Sequence, residues 1–360
     1  MMSFSLLTSS PASAAVKSGD LCKKVGTKST ALGEKFECVK SGKKFIWKKV
    51  VQQKLPTLVE DIQISIDNLD IKGVPKKAYA NVTNVLKTRA RSSFAPTKYI
   101  GQNVQQARID QEVGGLNRAI DLWALYFQPE VFQVVYVGRG DEQWLESKSS
   151  ELGLQSMIGR SETWTDRMKM FNPCGFANAG VARNIPTFVQ CLDPAYSGGH
   201  RQTGPHEYTH LFQRGVGGSS TYRMAWYTEG SASYFGWTLG FYPYDPNSID
   251  RTRWLANMFS NMDMDAKSDF KSKDLQRLKN RMQMIVQNSN ARSFSQTAYW
   301  AGGLATEVLV ALYGLDKFVE LTKNIQVNQD LSSVLMQTYG FNDDYFYEKL
   351  APYIWAHVPN

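Results

Sequence analysis

Two of the chain's 4 histidines stand four residues apart in Gly204-Pro205-His206-Glu207-Tyr208-Thr209-His210-Leu211-Phe212. On a helix, side chains at i and i+4 share a face, so His206 and His210 can hold one ion between them. Imidazole nitrogens suit zinc, and a carboxylate added to them favours zinc over other divalent ions. Glu207 follows the first histidine directly. From there it reaches the neighbourhood of the ion without binding it, which suits a general base acting on a metal-activated water. Pro205 fits the first turn of such a helix.

A site of this kind needs a third protein ligand. One known pattern puts Gly three residues after the second His and a further His beyond it; Gln213 and Val216 stand at those positions instead. The next candidate is Glu229, in Met224-Ala225-Trp226-Tyr227-Thr228-Glu229-Gly230-Ser231-Ala232-Ser233-Tyr234. The 18 residues between His210 and Glu229 leave room for the first helix to end. A loop with Gly215, Gly217 and Gly218 and a second helix returning past the metal would follow. HExxH, this gap and W-x-x-E-G-x-A-x-Y together resemble the gluzincin metallopeptidases, in spacing most of all the aminopeptidase-N-like group. The resemblance implies that His206, His210 and Glu229 bind Zn2+ and that Glu207 is the general base.

Further along, Tyr299-Trp300-Ala301-Gly302-Gly303-Leu304 and the following Leu312-Tyr313-Gly314 are similar to the Y-x-x-G helix of the same group. The resemblance implies that the Tyr299 hydroxyl donates to the oxyanion forming on the scissile carbonyl, a donor that a tetrahedral intermediate requires. The group's G-x-M-E-N segment, whose Glu holds a substrate amino terminus, is missing: the comparable stretch 186–192 has no Glu. That leaves endopeptidase or oligopeptidase activity open. His200 reads as a solvated loop histidine, and His357 carries no motif. The aromatic residues after Glu229 read as core and cleft wall.

These residues need elements to hold them. Val131-Phe132-Gln133-Val134-Val135-Tyr136-Val137-Gly138 has the apolar run of a strand, as does Ile185-Pro186-Thr187-Phe188-Val189-Gln190-Cys191, which Pro186 assigns to a sheet edge. Helical periodicity occupies 55–94, with Leu58, Ile62 and Ile66 on one face and a break at Gly73-Val74-Pro75. It returns over 109–125, and the chain after Gly199 is mainly helical. The expected fold is α+β. The gluzincin resemblance implies a small twisted sheet over about 131–192 packed on the HExxH helix and a helical lobe from about Met224 onward. The expected organisation is a signal-peptide remnant at 1–15, a basic β module at 16–54, a helical region at 55–128 packed on the catalytic unit, and the metallopeptidase domain at 129–360.

Charge separates the basic module from the rest. Residues 16–54 hold 11 lysines and 3 acidic residues, so this segment alone carries the net +8 of the 360-residue chain. The remainder is neutral, which argues against a nucleic-acid-binding core and for a basic appendage that meets an anionic surface such as a cell envelope. The alternative is a solubilising, solvated appendage. Lys35-Phe36-Glu37-Cys38-Val39 and Lys44-Phe45-Ile46-Trp47 flank a Ser41-Gly42 turn signal and read as a hairpin stapled by Cys22–Cys38.

The four cysteines allow three pairings, of which the local one (Cys22–Cys38, Cys174–Cys191) is the simplest; four buried free thiols are the other reading. Ala12-Ser13-Ala14 fits a signal-peptidase site, although a positive n-region is missing. No apolar run reaches the roughly 18 residues a membrane span needs, Leu304 to Leu315 being short and interrupted by Glu307. GxSxG, P-loop and GxGxxG motifs are absent. The sequence therefore reads as a secreted or cell-surface zinc metallopeptidase acting on a peptide or protein substrate. The alternative is a non-enzymatic cell-envelope-binding protein on an inactive metallopeptidase scaffold.

Overall fold

The structure, a computed structural model, describes residues 17–31, 34–49, 63–88, 91–170, 175–192, 200–219, 221, 224–287, 296–328 and 330–359. The expected signal remnant, Leu58, Ile62 and Cys174 lie outside the described residues. The chain divides into two units, Met1–Thr57 and Leu58–Asn360.

In the first unit, β1 (Lys28–Ala31), β2 (Glu34–Ser41) and β3 (Lys44–Lys49) form an antiparallel meander. Ser41 pairs with Lys44, so β2 and β3 are joined by a two-residue turn, and Gly42 takes the positive φ of +60° that such turns favour. Phe36 and Cys38 are buried, and a Cys22–Cys38 disulfide cross-links the sheet. So small a sheet has little core of its own, and the covalent link supplies what burial cannot. The expected hairpin is present, and β1 is an addition to it.

The second unit mixes helices with a four-stranded sheet. Its strands are β4 (Thr97–Ile100), β5 (Gln133–Val137), β6 (Ala177–Ala182) and β7 (Ile185–Cys191), in the order β4-β5-β7-β6. β4, β5 and β7 run parallel, and β6 is an antiparallel edge. The helices are α1 (Gly73–Thr88), α2 (Gln106–Trp123), α3 (Glu142–Leu152), α4 (Trp164–Met170), α5 (His200–Gly217), α6 (Ala225–Gly240), α7 (Ile249–Ser260), α8 (Met264–Lys271) and α9 (Leu275–Gln287). A π-helical turn, Ala298–Gly302, leads into α10 (Gly303–Val327), followed by α11 (Leu331–Tyr339) and α12 (Asp343–Ala356).

The sheet is covered on both faces. Val134, Tyr136 and Phe188 point into the main core, which contains Leu116 and Trp123 of α2 and Tyr208 and Phe212 of α5. Val135, Val137 and Val189 point the other way, onto Leu145 of α3 and Trp164 and Met168 of α4. All five residues of β5 are buried, which is why this strand reads as an unbroken apolar run.

Several expectations need correction. β7 is an interior strand, not an edge. Pro186 is tolerated because pairing with β5 begins only at Thr187, so the missing N–H costs no bond in the parallel ladder. The sheet begins earlier than 131, since Thr97–Ile100 pairs with β5. Gly73-Val74-Pro75 opens α1 instead of breaking a helix, with proline in the first turn where no intrahelical N–H is needed. Residues 63–72 are not helical, and Ser65 and Asn68 form an isolated bridge there.

The apolar segment around Leu304 is longer than expected. Residues 298–327 form one helical stretch long and apolar enough to cross a membrane, but 78 % of its most apolar window is buried within the protein. Its Glu307 accepts hydrogen bonds from Arg251 and Tyr353. The apolar character belongs to a core helix.

Candidate metal centre

α5 is positioned by close contacts with α2 and α6. It begins at His200, so Pro205 lies inside the helix and not in its first turn. Proline leaves the Arg201 carbonyl without its helical donor. That carbonyl lies against Gly115 of α2 and Gly240 of α6, where an added Cβ would come within 2.6 and 2.4 Å of it. Lower down, Trp123 stacks on Phe212 with ring centroids 3.8 Å apart. The helix also runs through Gly215 to Gly217, which were expected in a loop. Gly215 abuts the Phe127 ring and Gly217 the Thr322 carbonyl, so both serve close packing. The helix ends at Gly218, whose φ is +66°.

α6 carries the third candidate ligand. Every residue of this helix is buried except Glu229, which is half-buried and is the helix's only charge. A carboxylate in such a setting requires positive partners. It has them: Glu229 Oε2 lies 3.5 Å from His206 Nε2 and 3.4 Å from His210 Nε2, and the two Nε2 atoms are 3.0 Å apart. A tetrahedral ion with bonds of about 2.0–2.2 Å has ligand–ligand edges of about 3.3–3.6 Å. Both carboxylate–imidazole distances match such edges and the imidazole–imidazole distance is a few tenths of an ångström shorter, so His206, His210 and Glu229 form a donor set that could hold a metal ion.

The proton on His210 is fixed by its neighbour. Gln213 Nε2 donates to the Thr228 carbonyl at 2.9 Å and to Ser231 Oγ at 2.7 Å. Its Oε1 therefore faces His210 Nδ1, at 2.9 Å. Nδ1 carries the hydrogen in that contact, so Nε2 is the nitrogen that faces the site. Gln213 thus ties the helix bearing the histidines to the two residues that bracket Glu229. Sequence reasoning missed it; the signal was its i+3 spacing from His210, on the same helix face.

Burial lowers and Glu229 raises the affinity of His210 for a proton, and the net effect pushes it up to about 9. Glu229 is held well below the usual carboxylate range, the histidines outweighing burial. Glu207 is buried, and its carboxylate accepts from the Ala179 N–H of β6. Burial pushes its pKa up, against the pull of the two histidines. One turn earlier, the fully buried Glu112 of α2 accepts from the Gly204 N–H, and burial pushes it up to about 8.

Tyr299 comes from the π-helical turn. Its hydroxyl donates to Glu229, and its ring stands edge-on to His206 with centroids 5.7 Å apart. What brings it there is a backbone crossing. A Cβ on Gly230 would lie 2.4 Å from Gly302 Cα, and one on Gly302 would lie 2.1 Å from the Trp226 carbonyl oxygen. The glycines following Glu229 and Tyr299 thus let the two segments touch.

His206, Glu207 and Tyr299 line one cleft of about 670 Å³ together with Arg167, Asn257 and Asn261, and His210 and Glu229 adjoin His206 behind it. Arg167 comes from α4, far away in sequence, and no local pattern marked it. His200 opens α5. His357 lies near the C-terminus, where its Nδ1 bonds the Tyr353 carbonyl. Cys191, at the end of β7, is disulfide-bonded. No protein-family model, curated protein or solved structure matches the chain.

Proposed function

We propose that the second unit is a zinc-dependent metallopeptidase of the gluzincin kind, acting on peptide or protein substrates outside the cytoplasm. The observation that carries this reading is the convergence of His206, His210 and Glu229 with donor atoms 3.0–3.5 Å apart, and Glu207 beside them in a cleft of peptide-binding size. Bound zinc would supply a water of lowered pKa and polarise the scissile carbonyl. Glu207, its proton affinity raised by burial, takes the proton of the attacking water and delivers it to the leaving amine. Tyr299 turns its hydroxyl from Glu229 to the oxyanion. Among the described residues lining the cleft, Glu207 is the one carboxylate, so none remains to hold a substrate amino terminus. This favours endopeptidase or oligopeptidase action.

The disulfide in the first unit supports an extracytoplasmic location. That unit's lysines suit contact with an anionic cell envelope, which would tether the enzyme. On the alternative reading, a non-enzymatic envelope-binding protein, the same lysines are present but zinc and turnover are not. Elemental analysis and a peptide library separate the two. The wild type should hold about one zinc per chain. Glu229→Ala should lose it, and Glu207→Gln should keep zinc while losing turnover. A protein that takes up no zinc after zinc is added back, or a Glu207→Gln variant with near-normal activity, refutes the peptidase reading.

A further inference from the structure

We propose that Arg167 binds a carboxylate of the substrate, so that the cleft selects peptides presenting one; that the ligand is a peptide rests on the peptidase reading above. Arg167 lines the same cleft as His206, Glu207 and Tyr299. Its Nη1 donates to both oxygens of Glu162, at 3.2 and 3.1 Å. This occupies one corner of the guanidinium and leaves the edge formed by Nε and Nη2. Nε is buried and, among the described residues, has no acceptor. A buried donor without an acceptor is destabilising and calls for an occupant. The Nε–Nη2 edge has the geometry that meets a carboxylate through two parallel hydrogen bonds.

The charge of the cleft agrees. Among its described lining residues, Arg167 is the one arginine or lysine and Glu207 the one carboxylate. The remaining polar side chains there are amides and hydroxyls, apart from His206. Glu162 engages Arg167 through Nη1 alone, so Nη2 of the one fixed cation in this lining is left for a ligand. A substrate could supply the carboxylate from its C-terminus or from an Asp or Glu side chain, and the test separates these sources.

Calorimetric titration of the zinc-loaded full chain with two matched pairs of probes reads binding without requiring turnover. The first pair is N-acetyl-trialanine and its C-terminal amide. The second is N-acetyl-Ala-Glu-Ala-amide and its Gln counterpart. In the wild type, the carboxylate member of at least one pair should bind about tenfold or more tightly than its neutral partner. The pair that discriminates names the source. Arg167→Gln should make the members equal, and Arg167→Lys should restore part of the difference. Glu162→Gln, which removes the competing negative charge, should keep the preference and so shows that disturbing this segment is not what abolishes it. Equal binding of both pairs by the wild type, or a preference that survives Arg167→Gln, overturns the proposal and leaves water as the occupant of the edge. A chain that discriminates through Arg167 but hydrolyses no peptide keeps this site and loses the peptidase reading. One that hydrolyses peptides without discriminating does the reverse.

Discussion

Replacing Gln213 with Met keeps the length of the side chain and removes its polar end. That end is fully committed, accepting from His210 Nδ1 at 2.9 Å and donating to the Thr228 carbonyl at 2.9 Å and to Ser231 Oγ at 2.7 Å. All of these residues are buried, Gln213 itself to 1 % exposure. The Ser231 hydroxyl can turn to a carbonyl of its own helix. The Thr228 carbonyl lies inside α6 and keeps its helical donor, so the His210 N–H is the group left without a partner. A buried group left unpaired costs about 1–3 kcal/mol, so the metal-free protein should lose roughly that much stability. Loss of an outer partner of a metal-binding histidine lowers zinc affinity about 10–100-fold. Urea denaturation of the metal-free chain checks the first figure, and competition against a chelator of known affinity checks the second. Gln213→Glu separates the two effects. It keeps an acceptor for His210, so zinc affinity should stay closer to wild type, but it removes both donors to α6, so stability should still fall. A folded Gln213→Met protein that binds zinc within about twofold of wild type would refute the reasoning, because something else would then orient His210.

Gly302→Ala should destabilise the protein by roughly 3 kcal/mol, because its Cβ would meet the Trp226 carbonyl oxygen at 2.1 Å. This outweighs the about 1 kcal/mol that Ala gains over Gly in a helix, and an unchanged denaturation midpoint would contradict it. Glu112 is pushed from 4.5 up to about 8, so the folded state binds its proton more tightly than the unfolded state does. Its contribution is complete below about pH 4.5 and is lost as pH rises through about 8, a fall of roughly 5 kcal/mol. Denaturation of Glu112→Gln across that range should show a flatter pH profile, and an identical slope would count against a protonated Glu112. Cys22→Ser combined with Cys38→Ser removes a cross-link spanning 16 positions, worth about 3 kcal/mol. Hydrogen exchange in β2 and β3 should accelerate while exchange in α5 and α6 stays as it is.

The parts of the site that were legible in the sequence depend on short-range geometry. HExxH needs only the i, i+4 rule, and Glu229 stands out because the gap and its flanking residues match a known pattern. Gln213 was visible only as a residue that is not glycine, since its partners Thr228 and Ser231 belong to another helix. Arg167 had no local signature at all. In the fold, β5 and β7 announce themselves as apolar runs because both faces of the sheet are covered. β4 is mostly exposed and β6 is the small-residue stretch Ala-Asn-Ala-Gly-Val-Ala, so neither carries a burial pattern. Proline and glycine misled for a common reason. Pro205, Gly215 and Gly217 have the local signature of a helix start and a loop, whereas packing against Gly115, Phe127 and Thr322 decides their places.

The crossing of Gly230 and Gly302 has an evolutionary consequence. Trp226, Gly230 and Gly302 meet there through their main chains, and a contact of that kind cannot be re-tuned by exchanging side chains. The wall that carries Glu229 and Tyr299 is thereby closed to gradual adaptation, since the smallest change at either glycine disrupts both. Arg167 on α4, Asn257 on α7 and Asn261 at the C-cap of α7 present ordinary side chains to the same space. A lineage of this protein can therefore shift what it accepts through α4 and α7 while the chemistry of the opposite wall stays frozen.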